Sequence, residues 1–252
     1  MSQIRPPTQL EDYGIHPKEV QFLRNWLETY TSQPKPVVLA GPSGSGKSLL
    51  VRLLLSHYKY DHVDFYPDHN RTNKVEMQRL GNVLMGGNVM MMFGGSPKAV
   101  VFEDVEVGSS GERGYMNDIV QVLDKLKGPP KNPAIFTMST RIKAKKLKEV
   151  ERVAHYVTLN NPNRYEIFGV AKRLHERFPM GLQDYQLQYL SGKCQGDLRG
   201  LYHHMEVQYS RFHETAMQDE VTAAEDEVTA VEKASEDIDS SGDMASTPTD
   251  AV

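Results

Sequence analysis

The sequence predicts an α/β fold: a parallel sheet covered on both faces by helices, then a compact all-helical domain, then an acidic tail. Three observations carry this. Short β-branched or apolar runs alternate with helical patterns as far as about residue 160, the order in which strand–helix–strand units build a parallel sheet. From Asn163 to about Phe212 no strand pattern appears. The last 35 or so residues lack aromatics and are rich in Asp, Glu, Ala, Ser and Thr, a composition that cannot bury enough apolar surface to fold. The boundaries expected from this are 1–160, 161–212 and 213–252.

Taken in order, residues 17–31 read as a helix, with Val20, Phe22, Leu23, Trp26 and Leu27 recurring on one face. A proline-rich linker then passes into Val37–Ala40, a buried strand ending at Gly41. The run Leu49–Leu55 is apolar all round, so its helix belongs at the centre of the molecule. DHVDFY (61–66) is a second strand and NKVEMQRLGNVL (73–84) an amphipathic helix. KAVVFEDVE (98–106) has the pattern of a buried strand with an acidic end, and a helix over GYMNDIVQVLDKL (114–126) follows it. NPAIFTMST (132–140) and HYVTLN (155–160) complete the strands. Three helical patterns then occupy 164–178, 182–194 and 197–212, broken by Pro179-Met180-Gly181 and by Gly196. In the tail DEVTAAE is followed at once by DEVTAVE; two heptads fall short of a coiled coil and predict a transient helix.

Composition narrows the function classes. The chain of 252 residues has a net charge of −4, but residues 218–252 hold eleven acids against Lys233, which leaves a body of charge +6. A basic body with an acidic tail suits a polyanionic partner. The single cysteine, Cys194, excludes a disulfide framework and a multi-cysteine zinc site. No apolar run approaches the ~20 residues of a membrane span, and the first residues lack the apolar core of a leader. A soluble intracellular protein without membrane partners is expected.

The most specific motif is Gly41-Pro42-Ser43-Gly44-Ser45-Gly46-Lys47-Ser48, which satisfies G-x-x-x-x-G-K-[ST] after a strand and at the start of a helix. Glycines let successive N–H groups turn inward as a nest for phosphate oxygens, and the helix N-terminus adds partial positive charge. Lys47 is placed for the β- and γ-phosphates and the Ser48 hydroxyl for Mg²⁺, so ATP with Mg²⁺ is the expected ligand. The acidic strand end supplies candidates for the remaining chemistry. A buried strand that ends in one acid for Mg²⁺ and a second for the attacking water is usually Asp-Glu; here Glu103-Asp104 reverses the order. Either Glu103 takes the metal role and Asp104 the base role, or Asp104 holds the metal and Glu106 is the base. A one-methylene change moves a carboxylate by ~1.5 Å, and ~1 Å of misplacement can cost on the order of a hundredfold in rate. The acids could also merely cap the following helix.

In sequence order these pieces resemble the clamp-loader family of AAA+ ATPases, most of all the large subunit of replication factor C and its checkpoint relative. Arg5-Pro6, Leu10, Asp12 and Gly14 resemble the segment this family carries before its phosphate loop, near the adenine, and Leu23–Leu27 the helix after it. Asp64 and Arg71 keep the character of the stretch after the second strand, and Glu103-Asp104 is similar to the checkpoint version. Thr140 stands where the family has its sensor-1 asparagine. Gly196-Asp197-Leu198-Arg199 matches the lid motif, whose arginine acts toward the γ-phosphate as sensor 2.

The resemblance covers about residues 4–212. It implies an AAA+ core over 1–160, a helical lid over 161–212, and a partnership with primer–template DNA, other AAA+ subunits and a sliding clamp, in the nucleus of a eukaryotic cell or host. The collar domain that follows the lid in the family is not expected here, where the acidic tail stands. The stretch that corresponds to the family's arginine-finger motif is Glu151-Arg152-Val153, which makes Arg152 a finger candidate without the usual flanks. The large subunit ordinarily has no finger, and a solvated surface arginine accounts for Arg152 at least as well. Arg71, Lys74 and Arg79, with the basic run that includes Lys143, Lys145 and Lys146, are the candidate contacts to DNA phosphate. A subunit contact or a solvated helix face accounts for the basic run equally well.

His203-His204 lacks ligand-like spacing to an acid, and Met85 with Met90–Met92 reads as adaptable packing among glycines, with a partner-binding surface as the alternative. Two other functions remain open on sequence alone: a non-catalytic AAA+ subunit that holds ATP as a structural ligand, and a nucleotide kinase. The kinase is disfavoured because the phosphate loop lies some 40 residues in and no arginine-rich lid follows.

Overall fold

The computed structural model describes residues 4–65, 78, 81–86, 96–105, 114–126, 128–139 and 144–218, and their side chains except at 114–119 and 144–146. Five strands form one parallel sheet: β1 (Val37–Ala40), β2 (Asp61–Phe65), β3 (Lys98–Phe102), β4 (Ala134–Met138) and β5 (His155–Thr158). Their spatial order is β2-β3-β4-β1-β5. β1 thus lies between two strands from much later in the chain, with Val37 opposite Ile135 on one side and His155 on the other. All four of its residues are buried, which explains a continuous apolar run where a one-sided strand would alternate.

Side chains leave the sheet alternately on two faces. Val37, Leu39, Val101 and Ile135 pack against Leu50 and Leu54 of α2 (Lys47–His57) and Leu23, Trp26 and Leu27 of α1 (Pro17–Thr29). Val38, Ala40, Phe102 and Phe136 face Leu84 of α3 (81–85), Leu123 of α4 (Gly114–Lys125) and Val150 of α5 (Ala144–Val153). Phe65, Phe102 and Phe136 stack across three strands at centroid spacings of 4.7 and 4.8 Å. α2 buries residues all round, as its composition predicts: Leu50, Val51, Leu53, Leu54 and Leu55 are 4% exposed or less.

The second unit consists of α6 (Arg164–Arg177), α7 (Asp184–Lys193) and α8, helical over 198–218 and so longer than the pattern ending at Phe212. A reciprocal capping box starts α6: the Asn163 side chain accepts from the Tyr165 and Glu166 amides, and Glu166 reaches back to the Asn163 amide. These helices bury Ile167, Val170, Leu187, Leu201 and Met205 in the same cluster as Ile4, Leu10, Tyr13 and Ile15 from the segment before α1. The N-terminal segment therefore ties the helical unit to the sheet. No described helix is long and apolar enough to cross a membrane. The acidic tail from residue 219, with its two heptads, lies outside the described residues.

Candidate nucleotide site

The carboxyl ends of β1, β3 and β4 open on the same edge of the sheet, the edge where ligands bind in open α/β folds. The phosphate loop leaves β1 there and enters α2. Gly44 and Gly46 have φ of +77° and +92°, left-handed backbone that glycine adopts without steric cost. A Cβ on Gly41 would stand 2.2 Å from the Leu159 carbonyl oxygen, and one on Gly44 2.0 Å from Asp197 Oδ1. The loop is a cradle made by the absence of side chains.

Neighbours hold this cradle through its carbonyls. Tyr13, whose hydroxyl pKa burial pushes far above its ordinary value, donates to the Gly46 carbonyl at 3.3 Å. His16, at the N-cap of α1, bonds through Nε2 to the Ser45 carbonyl at 3.2 Å, a geometry that puts the proton on that nitrogen. The Leu198 amide, in the first turn of α8, donates to the Gly44 carbonyl at 2.9 Å. Asp197 caps α8 by accepting from the Arg199 amide at 2.9 Å. The helical unit is thus docked directly on the loop, and it presents Arg199 to a cleft lined also by Gly44, Lys47, Ser48, Asp104, Ser139 and Tyr202. Tyr202 is held neutral, its pKa pushed up to about 12 chiefly by burial.

Lys47 is 6% exposed, and its ammonium donates to the Gly41 and Pro42 carbonyls at 2.7 and 3.0 Å. Ser48 Oγ donates to Glu103 Oε2 at 2.9 Å. Thr137 Oγ1 donates to the same oxygen at 2.7 Å, inside a buried site. Asp104 has φ +47° and turns the other way: its amide donates to Thr137 Oγ1 at 3.1 Å, and its Oδ1 accepts from Ser139 Oγ at 3.3 Å. Of the two assignments open for the acids, this geometry has Glu103 beside Ser48 and Asp104 in the cleft; Glu106 lies outside the described residues.

The residues present fit a magnesium nucleotide. Adjacent ligands of octahedral Mg²⁺ with ~2.1 Å bonds are about 3.0 Å apart, and Ser48 Oγ and Glu103 Oε2 are 2.9 Å apart. The nest, the buried lysine and the start of α2 supply the positive potential a polyphosphate needs.

This chain is similar to known clamp-loader large subunits. The replication factor C large subunit of Methanococcus aeolicus is 24% identical over 209 residues, 82% of this chain and 42% of that protein. The corresponding subunit of Pyrobaculum aerophilum is 23% identical over 198 residues, 77% of this chain and 44% of that one. The chain thus spans about two fifths of the curated relatives it matches. No protein-family model matches it. Among solved structures, the RuvB Holliday junction branch migration motor of Thermotoga maritima superposes with a TM-score of 0.57 at 13% identity, covering 81% of this chain and 64% of that one. The fold is the AAA+ fold.

Within that fold the expected site residues fall into two groups. Gly41, Pro42, Ser43, Gly44, Ser45, Gly46, Lys47, Ser48, Glu103, Asp104 and Arg199 converge on one edge. Thr140, Arg71, Lys74, Arg79 and Lys143 lie outside the described residues, and of Lys145 and Lys146 only the backbone, in α5, is described. Arg152 pairs with Asp124 of α4 in the same chain. No group of three metal-capable side chains occurs among the described residues. Sequence reasoning gave no site role to Tyr13, His16, Thr137 or Ser139, and it named Asp197 only within the lid motif, without its place against the loop. Of the four, Thr137 left a usable signal, a hydroxyl in the apolar run AIFTM.

Proposed function

We propose that this chain binds ATP and Mg²⁺ at the 41–48 loop and works as an AAA+ ATPase of the clamp-loader type on DNA in replication or repair. The observation that carries the reading is the convergence of Ser48, Glu103, Asp104 and Arg199 on the loop, supported by the relatives named above. Lys47 turns from its loop carbonyls to the β- and γ-phosphate oxygens. Ser48 and Glu103 hold the metal, which when bound neutralises charge on the transferred phosphoryl group. Asp104, steadied by Ser139, orients the attacking water. Arg199 faces the γ-phosphate from α8, so that ATP and ADP leave the helical lid in different positions. Thr140, where the family has its sensor-1 asparagine, adds a further polar contact to the γ-phosphate.

The basic residues Arg71, Lys74, Arg79, Lys143, Lys145 and Lys146 contact the phosphates of primer–template DNA, and each contact makes affinity more salt-dependent. Other AAA+ subunits and a sliding clamp complete the assembly. The test is ATP turnover by the purified chain with and without primer–template DNA, with Lys47→Ala as reference. DNA-stimulated turnover that Lys47→Ala abolishes supports the proposal; phosphoryl transfer to a nucleoside monophosphate instead refutes it.

A second reading, an ATP-binding subunit that does not hydrolyse, is favoured by one feature. Asp104 is a methylene shorter than the glutamate usual in the base role, and its carboxylate is engaged by Ser139. ATP binding without turnover in the presence of partner subunits selects that reading.

A further inference from the structure

β4 is an apolar core strand interrupted by a hydroxyl. Thr137 lies between Phe136 and Met138, opposite Leu39 of β1, and is fully buried. Packing does not call for a hydroxyl here, since valine has nearly the same shape and suits a central strand as well. A buried hydroxyl is costly without partners, and Thr137 uses both of its functions. It donates to Glu103 Oε2 at 2.7 Å and accepts from the Asp104 amide at 3.1 Å. One side chain therefore holds the carboxylate of the first acid and the backbone of the second.

Both acids need such a hold. Glu103 carries one methylene more than the aspartate usual in its place, and with it an additional rotatable bond. Its Oε2 is fixed between Ser48 Oγ at 2.9 Å and Thr137 Oγ1. Asp104 turns in the left-handed region at φ +47°, which costs free energy for any residue with a Cβ. The bond from its amide to Thr137 stabilises that turn and so directs Asp104 toward Ser139 and the cleft.

We propose that Thr137 is the positioning residue of the acid pair. Its hydroxyl sets the longer Glu103 carboxylate beside Ser48 and fixes the Asp104 turn, and this lets a Glu-Asp order serve a site usually built with Asp-Glu. The inference rests on the nucleotide-binding reading above.

The test uses the full chain carrying Thr137→Val, Thr137→Ser, Thr137→Cys or Glu103→Asp, with Lys47→Ala in parallel. Binding of a fluorescent ATP analogue is followed as Mg²⁺ is varied, and again in excess chelator. Replacing a group that orients a metal ligand typically weakens the metal by ~10–100-fold. Thr137→Val is therefore expected to raise the Mg²⁺ half-saturation at least about tenfold, with chelator-phase binding unchanged within about twofold. Thr137→Ser, which keeps the hydroxyl, stays within about threefold of the wild type.

Glu103→Asp leaves the strand untouched and withdraws the carboxylate from Thr137. It reports only on Glu103 as the metal ligand. Should the valine variant not fold, Thr137→Cys, whose thiol is a weak donor and acceptor, carries the test with a rise in the same direction. A merely structural threonine would lower the melting temperature and leave the Mg²⁺ dependence in place. An unmoved half-saturation in Thr137→Val, or in Thr137→Cys where the valine variant does not fold, overturns the proposal, as does a serine variant as impaired as the valine one. Loss of binding in Lys47→Ala together with an unmoved Thr137→Val confines the failure to Thr137. Normal binding in Lys47→Ala removes the nucleotide-site reading itself, and this inference with it.

Discussion

Replacing Gly44 by alanine probes the contact between the start of α8 and the 41–48 loop. Two costs add. At φ +77° an L-residue is in left-handed backbone, worth about 1–2 kcal/mol. The new Cβ would also stand 2.0 Å from Asp197 Oδ1 and 2.6 Å from its Cγ, and such overpacking costs about 1–3 kcal/mol. Gly44→Ala alone should therefore destabilise by ~2–5 kcal/mol. Asp197→Ala alone removes the cap of α8 at a cost of about 1 kcal/mol.

In the double variant the close contacts to Oδ1 and Cγ no longer exist while the backbone cost remains. The double loss should fall short of the sum of the single losses by ~1–3 kcal/mol, a coupling a double-mutant cycle resolves. Urea denaturation of the four proteins measures it, and nucleotide affinity should follow the same pattern because Leu198 bonds the loop beside this contact. Additive single losses, within about 0.5 kcal/mol, would refute the docking of α8 on the loop.

Three other outcomes are expected. Leu54→Ala, at a fully buried position of α2, should cost about 2–5 kcal/mol in a urea titration; a loss below about 1 kcal/mol would mean that α2 is not central. Asn163→Ala breaks the capping box of α6 and should cost ~1 kcal/mol, read as a lower melting temperature with the nucleotide-loop residues untouched. His155 in β5 has its pKa held below the ordinary value by burial and by the Lys35 ammonium, so the unfolded chain takes the proton first as pH falls. The stability this contributes is present above pH ~6.5 and is lost as pH drops through that value to the depressed one. The urea midpoint of the wild type should fall more between pH 7 and 5 than that of His155→Gln; equal slopes would contradict it.

Much of the core was legible because burial writes itself into composition. Val37–Ala40 and Leu49–Leu55 have no polar residue to turn toward water except Arg52, and the structure buries all the others apart from Leu49, which is half-buried. The phosphate loop was legible for a different reason: its backbone demands, at Gly44 and Gly46, exclude other residues. What stayed hidden depends on contacts across the fold. Nothing near Thr137 in the chain shows that it meets Glu103, 34 positions away, and Tyr13 reaches the Gly46 carbonyl only because the N-terminal segment wraps back on α2. The Glu103-Asp104 order left two assignments open, since one-residue alternatives differ by which side chain reaches Ser48, and reach is a matter of coordinates. The helical pattern ending at Phe212 fell short because a solvated helix such as 213–218 carries no apolar periodicity to extend it.

The strand order has a consequence for how the protein is made. β1 and the loop that leaves it are synthesised early, yet both neighbours of β1 come late: β4 begins at Ala134 and β5 ends at Thr158. The ribosome must add almost 120 residues after Gly41 before the loop has a walled floor, roughly 6–24 s at 5–20 residues per second. During that interval the apolar strand Val37–Ala40 and the Leu49–Leu55 run emerge without their partners, while β2 and β3, adjacent in the sheet, are free to pair first. Chaperone demand should therefore peak while β1 waits, and a pause in translation placed before residue 134 should lower soluble yield more than one placed after residue 160.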